Sequence, residues 1–357
     1  MHGTLPPARD AEADRRADLR ACAAAIRAGS KSFHAASLLL PPGVRRSALA
    51  LYAFCRVSDD MVDGGDFGPA VENATGRLSG RLDRIYAGAP ADHPADRSFA
   101  AIVRDHAIPR ELPDALIEGF EWDEAGRTYE TIGELHEYGT RVAAAVGAMM
   151  TLVMGRRDPV VLARACDLGL AMQLTNIARD VGEDAANGRL YLPRQWMREA
   201  GLDPEAFIAA PVHEARIAAV IERVLGEAGR LYARAATGVG ALPPGCRAAI
   251  HAALAIYRDI GREIASAGHD SITRRATTTR ARKVALATAA HRARLLRPRI
   301  DPAPAMPQVR HLIEAVSRAA PPPPPDATRG MGRFVELLDQ MEERRATRLP
   351  QHDWTRW

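Results

Sequence analysis

Two segments of this chain, 52–63 and 173–184, each carry a narrow polar stripe along an otherwise apolar helix. In the first, Tyr52, Arg56, Asp59 and Asp63 fall within about 60° of one another when each residue turns the helix by about 100°. Leu51, Ala53, Phe54 and Val57 fill the flanks. In the second, Gln173, Asn176, Asp180 and Asp184 fall within about 80° by the same geometry, among Leu170, Ala171, Met172, Leu174 and Ile177. A solvent-facing helix is polar over a broad face, so these two are expected to turn their stripes toward an internal polar space. Burying such groups is costly unless they find partners there.

Each segment contains an Asp-x-x-x-Asp pair. Four residues apart on a helix, two carboxylates share a face with about 6 Å between Cβ atoms. Two such pairs facing each other form an acidic wall suited to Mg²⁺, which prefers oxygen ligands and commonly bridges carboxylates to phosphate oxygens. A single pair is as readily explained by solvated pairing with arginine. Two copies, each beside an arginine (Arg56 and Arg179), favour a site that ionises a prenyl diphosphate.

The rest of the chain supports a helical reading. It has 357 residues, 47% of them hydrophobic and 5% aromatic, enough for a large core. Its Ala-rich segments favour helix, and strand signals are weak. The expected fold class is all-α. The formal charge of +4 is spread along the chain, and only Lys31 and Lys283 are lysines. No clustered basic patch points to nucleic acid. Cys22, Cys55, Cys166 and Cys246 are widely spaced and fit reduced, buried thiols in a cytoplasmic protein. No apolar leader or run of about 18 uncharged apolar residues occurs, so neither a signal peptide nor a membrane-spanning helix is expected.

Turn signals at 40–43, 64–69, 88–90, 187–188 and 242–245 punctuate the helical pattern. Residues 1–15 read as a disordered leader, 16–318 as the catalytic domain and 319–357 as a Pro-rich linker and tail. In the tail, Pro321 to Pro325 form an extended spacer and 331–345 a short amphipathic helix. The segment 278–299 carries seven Arg and Lys residues among Val284, Ala285, Leu286, Leu295 and Leu296. A basic helix of this kind can lie on an anionic membrane; a terminal bundle helix with a solvated basic face has the same composition.

The two motif segments resemble the paired signatures of the trans-isoprenyl diphosphate synthases that make squalene and phytoene. Ser30-Lys31-Ser32-Phe33 resembles that family's N-terminal phosphate-contacting motif, and Gly188-Arg189-Leu190-Tyr191-Leu192-Pro193 the segment after its second signature. The resemblance covers about residues 20–300. Gly126-Arg127-Thr128-Tyr129 and 165–172 resemble most the phytoene-forming bacterial members. It implies an all-α isoprenoid-synthase helical bundle around a central apolar cavity. It also implies head-to-head condensation of two geranylgeranyl diphosphates to phytoene, through a cyclopropyl intermediate (prephytoene diphosphate). Mg²⁺ or Mn²⁺ would be the cofactor, with no NADPH. By motif match, Asp59, Asp63, Asn176, Asp180 and Asp184 would hold metal. Ser30, Arg56 and Arg179 would contact diphosphate, and Phe33, Tyr52, Gln173, Tyr191 and Tyr257 would line the cavity.

Two departures stand out. Ala144 replaces a glycine of the family's middle helix, which would add a methyl where a prenyl chain passes, and Arg275 to Thr279 is more polar than the family leads one to expect. The helix at 142–154 is rich in small and soft residues that would leave room for that chain, or pack helices closely. Substrate and product are greasy, so contact with the inner face of the membrane and association with other carotenoid enzymes are expectations of the same reading. Alternatives are a squalene or dehydrosqualene type enzyme using farnesyl diphosphate, and a non-catalytic assembly factor of the same fold, which would be expected to lose metal-binding aspartates.

Overall fold

The computed structural model describes residues 8–29, 35–63, 73–293, 295 and 299–322, and among them there is no strand. Ser30, Phe33, the Pro323–Pro325 end of the spacer and the proposed tail helix at 331–345 lie outside the described residues. The helices in chain order are α1 (Ala8–Gly29), α2 (Pro42–Asp63), α3 (Ala74–Tyr86), α4 (Pro94–His106), α5 (Glu111–Glu124) and α6 (Ile132–Gly139). A π-helical segment (Thr140–Ala144) joins α6 to α7 (Ala145–Val153). Then come α8 (Pro159–Ala186), α9 (Arg194–Glu199), α10 (Pro204–Ala209), α11 (Ala215–Gly238), α12 (Pro244–Ser266), α13 (Arg280–Ala293) and α14 (Arg310–Arg318). Residues 8–15, expected in a disordered leader, are instead the first two turns of α1. The compact unit runs to Ala320.

The first motif lies on α2 and the second on α8, and both helices pack against α7. α8 is the central helix, touching α6, α7, α11 and α12. It starts at Asp158, whose carboxylate accepts from the Val160 and Val161 N–H groups at 2.9 and 3.1 Å, with Pro159 at the first helical position. Two residues past its end at Ala186, Gly188 takes φ 71°, a left-handed turn that glycine adopts without strain. By length and apolar composition α8 could cross a membrane. Its apolar side is instead buried in the bundle, and it carries Arg164 and Asp167 fully buried and paired at 2.9 Å, with Arg234 on Asp167 at 3.0 Å. Those partners satisfy charges that lipid would leave bare.

Close approach to α8 depends on missing side chains. A Cβ on Gly169 would stand 2.6 Å from the Ala143 carbonyl oxygen, and one on Gly147 would stand 2.8 Å from that of Ala165. The π-helical segment sits at this crossing. Ala144 is fully buried, with its Cα 2.9 Å from the position a Gly169 Cβ would take. Its methyl therefore belongs to the helix crossing and does not narrow an open tunnel. Ala145, Ala148 and Met149 are likewise fully buried, so of the two readings of these small and soft residues close helix packing is the one they take. Val146 and Met150 remain half-buried.

On the other side, α2 is held to α4 by Phe54 stacked on Phe99, ring centroids 4.0 Å apart. α13 packs on α12, tied by Arg282 to the buried Asp259 at 2.9 Å, and exposes Val284. All four cysteines are free thiols; Cys22, Cys166 and Cys246 are buried. Burial and the neighbouring Asp59 push the half-buried Cys55 thiol up to about 12.

Candidate active site

α8 is surrounded by neighbours, yet Met172, Gln173, Asn176, Asp180 and Asp184 stay only partly buried. On a helix packed on several sides, that partial exposure falls on one stripe. α2 repeats this, with Tyr52, Arg56 and Asp59 partly buried between the buried Ala53, Phe54 and Val57. Both stripes therefore lie where the 3.6-residue period places them.

The second motif is strongly organised. Arg179 donates from Nε and Nη2 to the two carboxylate oxygens of Asp180 at 2.7 and 2.6 Å. Arg275, in the segment after α12, donates to the same two oxygens at 2.7 and 3.2 Å, and its Nε lies 3.2 Å from Glu183. Burial alone would raise the Asp180 pKa, but the hydrogen bonds from Arg179 and Arg275 outweigh it and hold the carboxyl below the usual range. Asp184 has the opposite fate. Burial, then the charges of Asp180 and Glu183, push it up to about 7 against the weaker pull of Arg189. One turn of helix thus holds a carboxylate fixed by two guanidinium groups and another crowded by negative charge.

Beside Asp184 lies a group that the stripe pattern could not show. Asp123, at the end of α5, accepts from the Tyr138 hydroxyl at 2.9 Å and from the Tyr191 hydroxyl at 2.8 Å. Its charge adds to the rise at Asp184. Tyr129, Tyr138 and Tyr191 form an aromatic cluster with centroids 5.1 to 6.1 Å apart. Burial and the Asp123 charge raise the phenols of Tyr138 and Tyr191 well above their ordinary range, so both remain donors at neutral pH. Tyr257 on α12 is close enough to Arg179 and Asp180 to feel both charges, and burial raises its phenol as well.

The ion pairs described in the first motif are local ones. Arg56 reaches Asp59 at 3.1 Å and Asp60 at 2.7 Å, both on its own helix. The Asp59 side chain is 42% exposed and that of Asp60 only 3%. Asp60, which the stripe leaves out, is thus the buried partner of Arg56. Tyr52 packs beside the small cluster of Cys22, Leu49, Ala53 and Val57, toward α1 and α4. Asp63 closes α2, and its side chain lies outside the described ones. Asn176 meets Gln173 at 3.5 Å on α8.

Among the described residues no three acidic, histidine or cysteine side chains gather closely enough to form a metal site by themselves, so what favours a divalent cation here is the crowding of Asp184. Asp184 gathers negative charge from Asp180, Glu183 and Asp123 in a half-buried place, and a cation is the partner that relieves such crowding. The guanidinium groups of Arg179 and Arg275 suit a bidentate anion as well as they suit the carboxylate they now hold. Two guanidinium groups that suit a diphosphate and one crowded carboxylate that suits a cation are the parts of such a site that the described residues supply.

Comparison with known proteins agrees with that chemistry. The squalene/phytoene synthase family pattern matches residues 26–282. The phytoene synthase of Rhodobacter capsulatus is 53% identical over 309 residues, covering 84% of this chain and 90% of that protein. That of Cereibacter sphaeroides is 54% identical over 340 residues, covering 91% and 94%. Among solved structures, a dehydrosqualene synthase superposes with a TM-score of 0.70 at 28% identity, over 77% of this chain and 96% of its own. A squalene synthase from Alicyclobacillus acidocaldarius gives 0.65 at 25% identity, over 72% and 96%. With two relatives more than half identical over most of its length and a fold shared with solved relatives, this chain belongs to the squalene/phytoene synthase family.

Proposed function

We propose that this chain joins two geranylgeranyl diphosphates head to head, by way of the cyclopropyl compound prephytoene diphosphate, to give phytoene for carotenoid synthesis. The observation that carries this reading is the half-buried turn of α8 on which Arg179 and Arg275 grip Asp180 while Asp184 sits in an excess of negative charge. The identity to phytoene synthases over most of the chain supports the choice of substrate.

Asp59, Asp63, Asn176, Asp180 and Asp184 would hold Mg²⁺ or Mn²⁺. A bound divalent cation neutralises and orients the leaving diphosphate. Arg56, Arg179 and Arg275 add charge-assisted hydrogen bonds to it. Departure of diphosphate leaves an allylic cation, which must meet the second prenyl chain before water does. The apolar half-buried positions Val146, Met150 and Met172 keep water from that path. The aromatic faces of Tyr191 and Tyr257 stabilise positive charge near it. Ring closure then releases one proton, and Asp123 with its two phenols is a proton-accepting group beside the acidic turn. The cyclopropyl intermediate then loses its own diphosphate, the resulting cation rearranges, and loss of a second proton gives the hydrocarbon, so no hydride from NADPH is consumed.

Incubation of the purified protein with Mg²⁺ and either geranylgeranyl or farnesyl diphosphate, followed by mass analysis of the hydrocarbon, tests the reading. Phytoene from the longer substrate is the expected result. A dehydrosqualene product from farnesyl diphosphate alone would replace it with the farnesyl-using reading.

A further inference from the structure

Gly182 lies midway between Asp180 and Asp184 on α8, and the chain crosses over it. The Gly182 N–H donates to the Ser271 carbonyl at 2.9 Å. A Cβ built there would stand 2.5 Å from the Ile272 carbonyl oxygen, 2.9 Å from its Cα and 3.0 Å from its carbonyl carbon. All three are backbone atoms, which cannot rotate aside. The crossing segment is itself firm: Asp270 accepts from the N–H groups of Ile272 and Thr273 at 3.1 and 2.9 Å, and Ser271 and Ala276 are buried. Arg275 follows three residues after Ile272 and reaches back to both oxygens of Asp180. Gly182 has φ in the ordinary helical range, so its backbone does not require glycine; the close approach does.

We propose that Gly182 is a positioning residue for the second acidic motif: its bare backbone seats the Ser271–Ile272 crossing on α8 and so delivers Arg275 to Asp180 from outside the helix. Arg179 is one residue from Asp180 and reaches it whatever the crossing segment does. Arg275 reaches it only if that segment lies against α8. The inference rests on the reading of this turn as a cation and diphosphate site, and it adds a residue that makes no contact with either.

The test uses the full chain as wild type, Gly182→Ala, Arg275→Ala and the double variant. Pyrophosphate binding at fixed Mg²⁺ is measured by titration calorimetry, alongside kcat, KM and the thermal midpoint. Gly182→Ala is expected to weaken pyrophosphate binding about tenfold, as Arg275→Ala does, since each removes one charge-assisted arm. The double variant should be no weaker than Arg275→Ala, because one route is lost in either case. A purely structural role for Gly182 would lower the thermal midpoint while leaving pyrophosphate binding intact, or would add to the Arg275 effect; either result overturns the inference. If Gly182→Ala does not fold, Asp270→Ala takes its place, since it frees the same crossing without adding an atom to α8, and it carries the same non-additive expectation. Wild-type pyrophosphate binding that survives Asp180→Ala would overturn the underlying site reading as well, whereas additivity alone overturns only the role of Gly182.

Discussion

The two acidic helices carry the same spacing of aspartates but are built differently. On α2, one arginine serves two neighbouring carboxylates within a single turn, and the motif aspartate Asp59 remains 42% exposed. On α8, a local and a distant arginine converge on Asp180, while Asp184 is crowded by acids from its own helix and from α5. A repeated motif is therefore not a repeated site. The second is set by tertiary contacts before any ligand arrives, whereas the ion pairs described for the first lie within its own helix.

The largest effect should come from the carboxylates themselves. Asp180→Asn and Asp59→Asn are each expected to lower kcat by about a thousandfold or more, the scale seen when a group that stabilises developing charge is lost. Helical circular dichroism should be unchanged in both. The asymmetry should appear in the thermal midpoint: Asp180→Asn weakens two guanidinium contacts in a half-buried place and should lower it, whereas Asp59→Asn should barely move it. Full activity in either variant would remove that aspartate from the site.

Asp123 tests whether the α8 side reaches beyond its own helix. Asp123→Asn removes the charge to which Tyr138 and Tyr191 donate. It is expected to lower kcat by about a hundredfold, as loss of a proton-accepting group does, with KM little changed. A KM effect alone would make Asp123 a packing residue for the tyrosine cluster.

How much of this was legible in the sequence differs between the same two regions. Helical period and a narrow polar stripe are local properties, and the structure has Arg56 on α2 and Asp180 and Asp184 on α8 partly buried, as that pattern leads one to expect. Asp60 escaped because it lies about 100° from Asp59, off the stripe, yet there it is buried against Arg56. Asp123 sits in an acidic run, 118–124, with no stripe to single it out. Arg275 lies 95 residues from Asp180; its only signal was a polar run where aliphatic residues were expected. Pairings across such distances are decided by how helices cross, and a period cannot encode that. The same limit explains Ala144, which looked like a tunnel residue by position and proved to be part of the crossing with Gly169.

Stability offers a third contrast, smaller in catalytic effect. Asp60 is buried and paired with a partly exposed arginine. Asp60→Asn should cost about 3 kcal/mol of unfolding free energy, the lower end for breaking a buried pair because Arg56 keeps Asp59. Asp59→Asn should cost less than about 1 kcal/mol. Urea unfolding of the two variants measures the difference, and equal losses would contradict the burial that separates these neighbours.

The smallest expected effect is a pH dependence belonging to α8. Asp184 titrates near 7 because burial, then Asp180 and Glu183, disfavour its charge. Below that value the proton and a divalent cation compete for the same carboxylate. Above it the carboxylate is already ionised and the competition vanishes. Apparent Mg²⁺ affinity in the presence of pyrophosphate should thus fall by up to about tenfold per pH unit below 7 and level off above it. Asp184→Asn removes the titrating group, so its remaining affinity should lose most of that slope. Asp59→Asn leaves Asp184 in place, so it should weaken binding yet keep the slope. Pyrophosphate itself also titrates between about pH 5.5 and 7, so a wild-type profile no steeper there than that of Asp184→Asn would mean that the acids around Asp184 do not set how this turn takes a cation.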